Sequence, residues 1–368
     1  MSYISLLQAF SEDIFPKDYR QACDLWQEAL HRLSATHHQN DFTLDHVQEL
    51  RCQTAWVGPD AAPKVLVLIS GTHGVEGYAG SAVELDCLRQ LDTGLLHLPP
   101  DTALLLIHAL NPWGYANYRR CDDQGIDVNR NFIDFTQPLP ENPGYLELQP
   151  LLGIVDSAVR ERAIHSFRNR VGQREYEIAY SGGQYADPDG PFYGGSGPSF
   201  SREVIEGLIN GFRLSERQLA VIDVHTGLGP YGYGEVICDH PADSGSVRTA
   251  RQWFGPGCGL PDRGTSCSVP KLGLLDYGWH KVMGSESCFV TLEFGTLGTD
   301  SLFAVLHDEA CAWRGGVPDA LSKDEAGARM EAHFNPQDIG WREAVIFRAR
   351  QVIQQAFQGL SGNSGAAK

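Results

Sequence analysis

The sequence predicts a single-domain α/β protein, a three-layer α/β/α fold with a mixed, largely parallel central sheet. Three observations predict it. Short apolar runs rich in β-branched residues recur along the chain, helical patterns lie between them, and no internal repeat divides the 368 residues. Strands covered on both faces read as continuous apolar runs rather than as alternating ones.

The elements follow in order. Ala22, Trp26, Ala29, Leu30 and Leu33 recur at helical spacing and predict an amphipathic helix over 18–35. The whole N-terminal stretch, about 1–50, is read as a helical segment of the same domain. KVLVLIS, 64–70, lies between Pro63 and Gly71 and predicts a buried strand. Gly71 to Gly74 make a tight turn, and a helix starts near Val75 and runs to about Leu91. Its early small residues, Gly77, Ala79, Gly80 and Ser81, let it approach the strand closely. ALLLIHA (103–109), LAVIDVH (219–225) and CFVTLEF (288–294) predict three more buried strands. The Gly- and Tyr-rich stretch 180–200 reads as an ordered loop, and a loop of that length in a compact domain is usually functional. A last helix spans about 341–358 with Trp341, Val345, Val352, Ile353 and Phe357 inward. The domain is therefore placed at 1–358, and 359–368 reads as a flexible tail.

Composition excludes several partners. Hydrophobic residues make up 42% and charged residues 20%, ordinary for a globular chain, and the net charge is -17. Such a surface repels phosphate backbones and anionic lipid, so neither nucleic acid nor membrane is expected as a partner. MSYISLLQAFSEDIF lacks a basic leader and carries acids by Glu12 and Asp13, so no secretion signal is expected. No apolar run reaches the length of a membrane span. Nine scattered cysteines without a C-x-x-C argue against a disulfide framework or a thiolate metal site and point to a cytoplasmic location. Any metal must then be held by His and carboxylate. The sequence sets no oligomeric state, and a homo-oligomer is compatible with it.

The chemistry starts at His73 and Glu76. H-x-x-E at the turn from strand to helix directs both side chains at one point. Among 13 histidines the pattern by itself arises by chance, and its acid also suits a helix start. Its position is what counts, because the carboxyl ends of parallel strands are where open α/β sheets build their sites. His225 ends the strand AVIDVH and completes a His₂Glu set, which leaves a fourth position open, as a catalytic zinc requires. Asp223 lies two residues earlier on the same strand face, either orienting a ligand or capping a neighbouring helix. Glu293 stands at the end of an apolar strand, where a carboxylate is costly. It reads either as a general base, taking a proton from a water at the metal, or as half of a buried salt bridge. Arg119, Arg120 and Arg130 cluster in NPWGYANYRRCDDQGIDVNRNF, 111–132. Arg matches carboxylates in bidentate fashion, and one of the first pair near the metal would polarise a carbonyl.

HGVE, NPWG, the arginine pair with DVNRNF, DVHTG and LEFGT together resemble the M14 zinc carboxypeptidase superfamily. GTHGVEGYAGSA, GGQYADPDGPFYGG and HTGLGPYGYGE most resemble its bacterial branch DUF2817. The resemblance covers about residues 10–357 and implies a carboxypeptidase-like fold and one Zn²⁺ per chain, held by His73, Glu76 and His225. It implies Glu293 as catalytic base and later proton donor, and Arg120 or Arg119 as the carbonyl-polarising residue. Asn129 and Arg130 would grip the substrate carboxylate. The active-site tyrosine of the digestive enzymes has Tyr277 as its nearest counterpart, with Tyr193, Tyr231 and Tyr233 as other pocket candidates. The short stretch between the arginine pair and Asn129 is closer to the aspartoacylase and succinylglutamate desuccinylase deacylases. The partner expected is a small molecule or short peptide with a free carboxylate. A peptide C-terminal residue and an N-acyl amino acid both fit. A non-catalytic ligand-binding homologue is the rival class, and no G-x-S-x-G elbow supports a serine hydrolase.

Overall fold

The computed structural model describes residues 14–34, 37–44, 46–318 and 320–362. Seven strands form one mixed sheet: β1 His37–Leu44, β2 Val47–Val57, β3 Lys64–Ile69, β4 Thr102–His108, β5 Gln218–Gly227, β6 Gly234–Ile237 and β7 Cys288–Gly295. Their order across the sheet is β1-β2-β4-β3-β5-β7-β6. The inner four, β4, β3, β5 and β7, are mutually parallel, and β1, β2 and β6 run antiparallel to their neighbours.

The inner strands are the four apolar runs, and their side chains alternate between two cores, as the period of two requires. Leu66, Leu68, Leu104, Leu106, Ile222 and Val290 face one core, with the helices Tyr19–Arg32, Gly77–Asp92 and Ile339–Leu360. Val65, Val67, Leu105, Ile107, Val221 and Phe289 face the other, covered by the helix Phe200–Gly211 and by Trp279. The three-layer reading holds, and the helices Tyr19–Arg32, Gly77–Asp92 and Ile339–Leu360 lie within a few residues of their expected bounds. Asp18 caps the first by accepting from the Gln21 amide, and Trp341, Val345, Val352, Ile353 and Phe357 are all buried in the last. Gly80 sits against β3 as predicted: a Cβ there would stand 2.5 Å from the Ser70 Cβ.

Three strands differ from the sequence reading. β1 and the start of β2 fall in the stretch expected to be helical, where they begin an antiparallel hairpin, so only Tyr19–Arg32 of about 1–50 is a long helix among the described residues. β1 is an edge strand, half exposed in alternation, and its polar sequence HHQNDFTL carries no apolar run. β6, GEVI, is only four residues long. The final helix extends to Leu360, two residues into the expected tail, and 363–368 lie outside the described residues. All nine cysteines are free. No described helix is long and apolar enough to cross a membrane.

This topology creates a switch point. From β3 the chain proceeds to β4 on one side, and β5 lies on the other. Crevices at the carboxyl ends of such diverging strands are where open α/β sheets accept ligands.

Candidate metal centre

His73 follows β3, and His225 ends the apolar part of β5, on the two strands that flank the switch point. Glu76 closes the single 3₁₀ turn Gly74–Glu76 that joins β3 to the helix Gly77–Asp92. Gly74 is needed there, because a Cβ would lie 2.0 Å from the carbonyl carbon of Gly114. The three side chains converge and are buried, and one ligand atom from each lies within 4.8 Å of the others. His73 Nδ1 is 3.1 Å from His225 Nδ1 and 2.9 Å from Glu76 Oε1, and His225 Nδ1 is 3.0 Å from Glu76 Oε2.

Both imidazoles are oriented from behind. His73 Nε2 lies 3.2 Å from Asp127 Oδ1, and His225 Nε2 lies 2.6 Å from Asp223 Oδ2. An ionised carboxylate only accepts, so Asp127 and Asp223 hold a proton on each Nε2, which leaves each Nδ1 as the atom that would ligate a cation. Thr72 Oγ1 donates to the other Asp223 oxygen at 2.8 Å, and the Asn129 amide donates to Asp127 at 3.0 Å. Asp223 thus takes the orienting position, not a helix cap. Asp127 was missed by sequence reasoning, although its place three residues before Arg130 in DVNRNF was a usable signal. Two imidazole lone pairs and a carboxylate, each backed by a hydrogen-bonded carboxylate or amide, make a donor set that fits a divalent transition metal.

The charges around this set are strongly coupled. Burial would push Glu76 up, yet His73 and His225 hold its carboxyl well below the usual range. Burial likewise opposes, and Arg120, Arg130 and His73 overcome it, at Asp127, which is also held well below that range. Glu293 is different. It pairs in register with His225 across β5 and β7, and the Leu228 amide donates to its Oε1 at 2.9 Å. Burial and then the Glu76 carboxylate push it up to about 7. No salt bridge satisfies it among the described residues, which removes the ion-pair reading.

The arginines separate. Arg120 turns inward, donating from Nε to Asp127 Oδ2 at 2.9 Å and from Nη1 to Glu76 Oε1 at 3.0 Å. Arg119 is a correction: it turns away from the metal centre, pairs with buried Glu309 and packs its guanidinium over Trp313 at 4.4 Å. Consecutive residues of a non-helical segment point to opposite sides, so only one of the pair reaches the site. Arg130 is fully buried and lines the same cavity, with its Nη2 on the Ser181 carbonyl at 2.7 Å and Nη1 on the Asn129 carbonyl at 2.5 Å. No carboxylate is in ion-pair contact with it among the described residues. Asn129 lines the cavity too and accepts from the Leu275 amide at 2.7 Å.

The tyrosines are further corrections. Tyr277 does not line the cavity: its ring packs on the core below, and its hydroxyl donates to the Lys271 carbonyl at 2.9 Å. Tyr193 is buried behind the wall, where its carbonyl accepts from the Asp127 amide at 2.7 Å, and Tyr231 and Tyr233 are half exposed outside it. The 180–200 stretch is a loop over 182–199, its ends belonging to the helices Gln173–Ser181 and Phe200–Gly211. Its Phe192 stands in the cavity wall against both guanidinium groups, 4.9 Å from that of Arg120 and 5.2 Å from that of Arg130. Tyr185 donates to the Arg130 carbonyl at 2.6 Å. Phe192 falls in the loop that the sequence marked as functional, whereas the cavity residues Asp239, Lys271 and Asp276 had no signal in the sequence.

Three solved structures similar to this chain match it at low identity. The succinylglutamate desuccinylase of Chromobacterium violaceum is 16% identical over 85% of this chain and 74% of its own, with a TM-score of 0.38. Bovine thrombin-activatable fibrinolysis inhibitor, solved with tick carboxypeptidase inhibitor, is 12% identical over 93% and 99%, with a TM-score of 0.48. A metallo-carboxypeptidase of Pseudomonas aeruginosa, solved with (2-guanidinoethylmercapto)succinic acid, is 14% identical over 91% and 70%, with a TM-score of 0.43. No curated protein matches the chain. The model of the family described as "Protein of unknown function (DUF2817)" matches residues 15–348, and the chain belongs to that family.

Proposed function

We propose that this protein is a zinc-dependent hydrolase that cleaves an amide bond next to a substrate carboxylate. The observation that carries this reading is the convergence of His73 Nδ1, His225 Nδ1 and Glu76 in the wall of a cavity that Glu293 and Arg130 also line. Two imidazoles and one carboxylate leave a coordination position for water, the pattern of catalytic rather than structural zinc. The cavity is tight, with about 70 Å³ of free volume.

A divalent ion in this set supplies Lewis acidity, lowering the pKa of a water and polarising a carbonyl. The chain's own residues do the rest. Glu293, with a carboxyl poised near neutrality, accepts the proton of the attacking water and later delivers it to the leaving amine. Arg120 holds Glu76 and Asp127 in place and offers positive charge where the carbonyl oxygen becomes anionic. Arg130 keeps its charge in the cavity without a carboxylate of its own, so the substrate carboxylate is its natural counter-ion. Asn129 and the Phe192 ring fix the approach of that carboxylate.

Two substrate classes share these requirements, a peptide C-terminal residue and an N-acyl amino acid. The short stretch between the arginine pair and Asn129 favours the deacylase form, and so does Tyr277, which lies off the cavity wall with its hydroxyl on the Lys271 carbonyl. Free thiols suit the cytoplasm. The test is metal analysis of the purified protein together with a screen of N-acyl amino acids and short peptides, with and without chelator. The reading predicts one zinc per chain and chelator-sensitive turnover. A metal-free protein that hydrolyses neither class would overturn it.

A further inference from the structure

A second chamber lies beside the metal cavity. It holds about 210 Å³ of free volume, against about 70 Å³ on the metal side. Its walls come from the arginine segment, from 188–192 of the loop, and from Leu306, Ala310 and Trp313 on the helix Thr299–Arg314. Only Arg120 and Phe192 line both cavities among the described residues. Arg120 is pinned by Glu76 and Asp127, so the Phe192 ring is the one separable part of the partition.

That ring is held in place at a cost. The φ of Phe192 is 57°, in the left-handed region that bulky residues rarely adopt. Such backbone persists only where the surroundings over-determine it. Here the Phe192 carbonyl accepts from the Gln184 amide at 3.1 Å, and the Gly194 amide donates to the Gln184 carbonyl at 2.8 Å. Gly194 admits no side chain, since a Cβ would stand 2.1 Å from Tyr185 Cε1. The ring itself is 3% exposed and meets Tyr180 edge-on, with centroids 5.9 Å apart.

The chamber behind it suits an uncharged chain. Arg119 pairs with Glu309, Arg314 with Asp187 and Asp123 with His46, and Asp189 is exposed to solvent. Leu306, Ala310, Pro188 and Pro191 supply apolar surface. Its direction fits as well. A carbonyl polarised by Arg120 bears its leaving amine on the side of Arg130 and its acyl chain on the other, and Arg120 reaches both cavities.

We infer that Phe192 is a specificity-determining residue, which closes off an apolar acyl subsite and so restricts the site to short acyl groups. The inference rests on the proposed function and deepens it by naming what sets the length of the acyl group.

The zinc-loaded full-length protein and its Phe192→Gly variant are assayed on the N-acetyl and N-hexanoyl derivatives of L-leucine, L-glutamate and L-lysine. Binding of the same derivatives is measured by calorimetry. Glycine adopts the left-handed backbone without strain, so the variant loses the ring and keeps the loop. The parent should favour acetyl over hexanoyl by about 10-fold or more, and Phe192→Gly should raise the hexanoyl-to-acetyl ratio by about 10- to 100-fold, the worth of a few buried methylenes. A ratio cancels any loss common to both substrates, including the loss of the ring's contacts with the two guanidinium groups. Ala310→Phe, added to Phe192→Gly, fills the chamber from the helix and should reverse the gain. Phe192→Leu is read in the same way if the glycine variant fails to fold. A parent that takes hexanoyl as readily as acetyl overturns the inference. So does a ratio that the loss of the ring leaves unmoved, or a gain that survives Ala310→Phe. The two readings can fail separately. Turnover whose acyl preference ignores Phe192 sinks the partition role alone. A Phe192-dependent shift in binding, with no derivative turned over, sinks the hydrolase alone. Neither binding nor turnover of any derivative sinks both.

Discussion

His73 and His225 turn their Nδ1 atoms toward each other at 3.1 Å while each rests its Nε2 on a carboxylate, Asp127 for one and Asp223 for the other. Both Nδ1 atoms also face Glu76, at 2.9 and 3.0 Å, so a divalent cation among the three would replace the protons they otherwise share. The arrangement is thus one that metal binding stabilises, and binding to the native state alone raises its stability by mass action.

The first prediction concerns Asp223. Asp223→Asn keeps the shape of the side chain but loses the charge that orients His225. Zinc affinity should fall by about 10- to 100-fold, as the loss of an orienting carboxylate does elsewhere. Competition with a chromophoric chelator measures it, and the melting temperature in equimolar zinc should drop in parallel. Unchanged affinity would show that strand geometry alone aims the ring.

Glu293→Gln separates binding from chemistry. Glu293 contacts the Leu228 amide but is not one of the converging ligands, so the variant should retain its zinc. Turnover should fall by about 10²- to 10⁴-fold, the usual worth of a general base. Elemental analysis beside a kinetic assay reads both quantities, and a variant that keeps its kcat assigns the proton transfer elsewhere.

The arginine pair divides into a structural and a reactive member. Arg119→Met breaks a pair with Glu309, which is 4% exposed, and should destabilise the protein by about 3–5 kcal/mol in urea unfolding. The protein that remains folded should keep its kcat and KM within about twofold. Arg120→Met should lower kcat by about 10²- to 10³-fold. Equal kinetic losses in the two variants would contradict the opposed directions of these side chains.

A fourth prediction concerns stability and pH. Glu84 is fully buried, accepts from Trp26 Nε1 at 2.7 Å through Oε2, and leaves Oε1 without a partner. Burial, against hydrogen bonds from Ser70 and Trp26, pushes its carboxyl up to about 8. A folded-state value above the unfolded one means that the native protein binds the extra proton between them. The stability linked to Glu84 is present in full below the unfolded value, near 4.5, and is lost as pH rises toward 8. Each pH unit inside that window costs up to about 1.4 kcal/mol. Glu84→Gln abolishes the titration, so its melting temperature should gain on the parent steadily from pH 5 to pH 8. A constant difference across that range would mean that Glu84 is already ionised in the folded state.

Much of this molecule could be read from the order of its residues. KVLVLI, TALLLIH, AVIDVH and CFVTLEF became the inner strands because a continuous apolar run has no other stable place than a doubly covered sheet. His73, Glu76 and His225 were legible because each sits within a few residues of a strand end, where backbone direction alone aims a side chain into the crevice. Tertiary structure decided the rest. The β1–β2 hairpin escaped notice because an edge strand gains its stability from one neighbour and needs no apolar run. The choice between Arg119 and Arg120 depended on Glu309 and Asp127, carboxylates brought together only by folding. Asp239 follows β6 and Asp276 starts the helix Asp276–His280, with no local pattern in either, and only folding brings both to one cavity. Periodicity and spacing report local geometry, whereas the pairing of distant charges is set by which surfaces the core brings into contact.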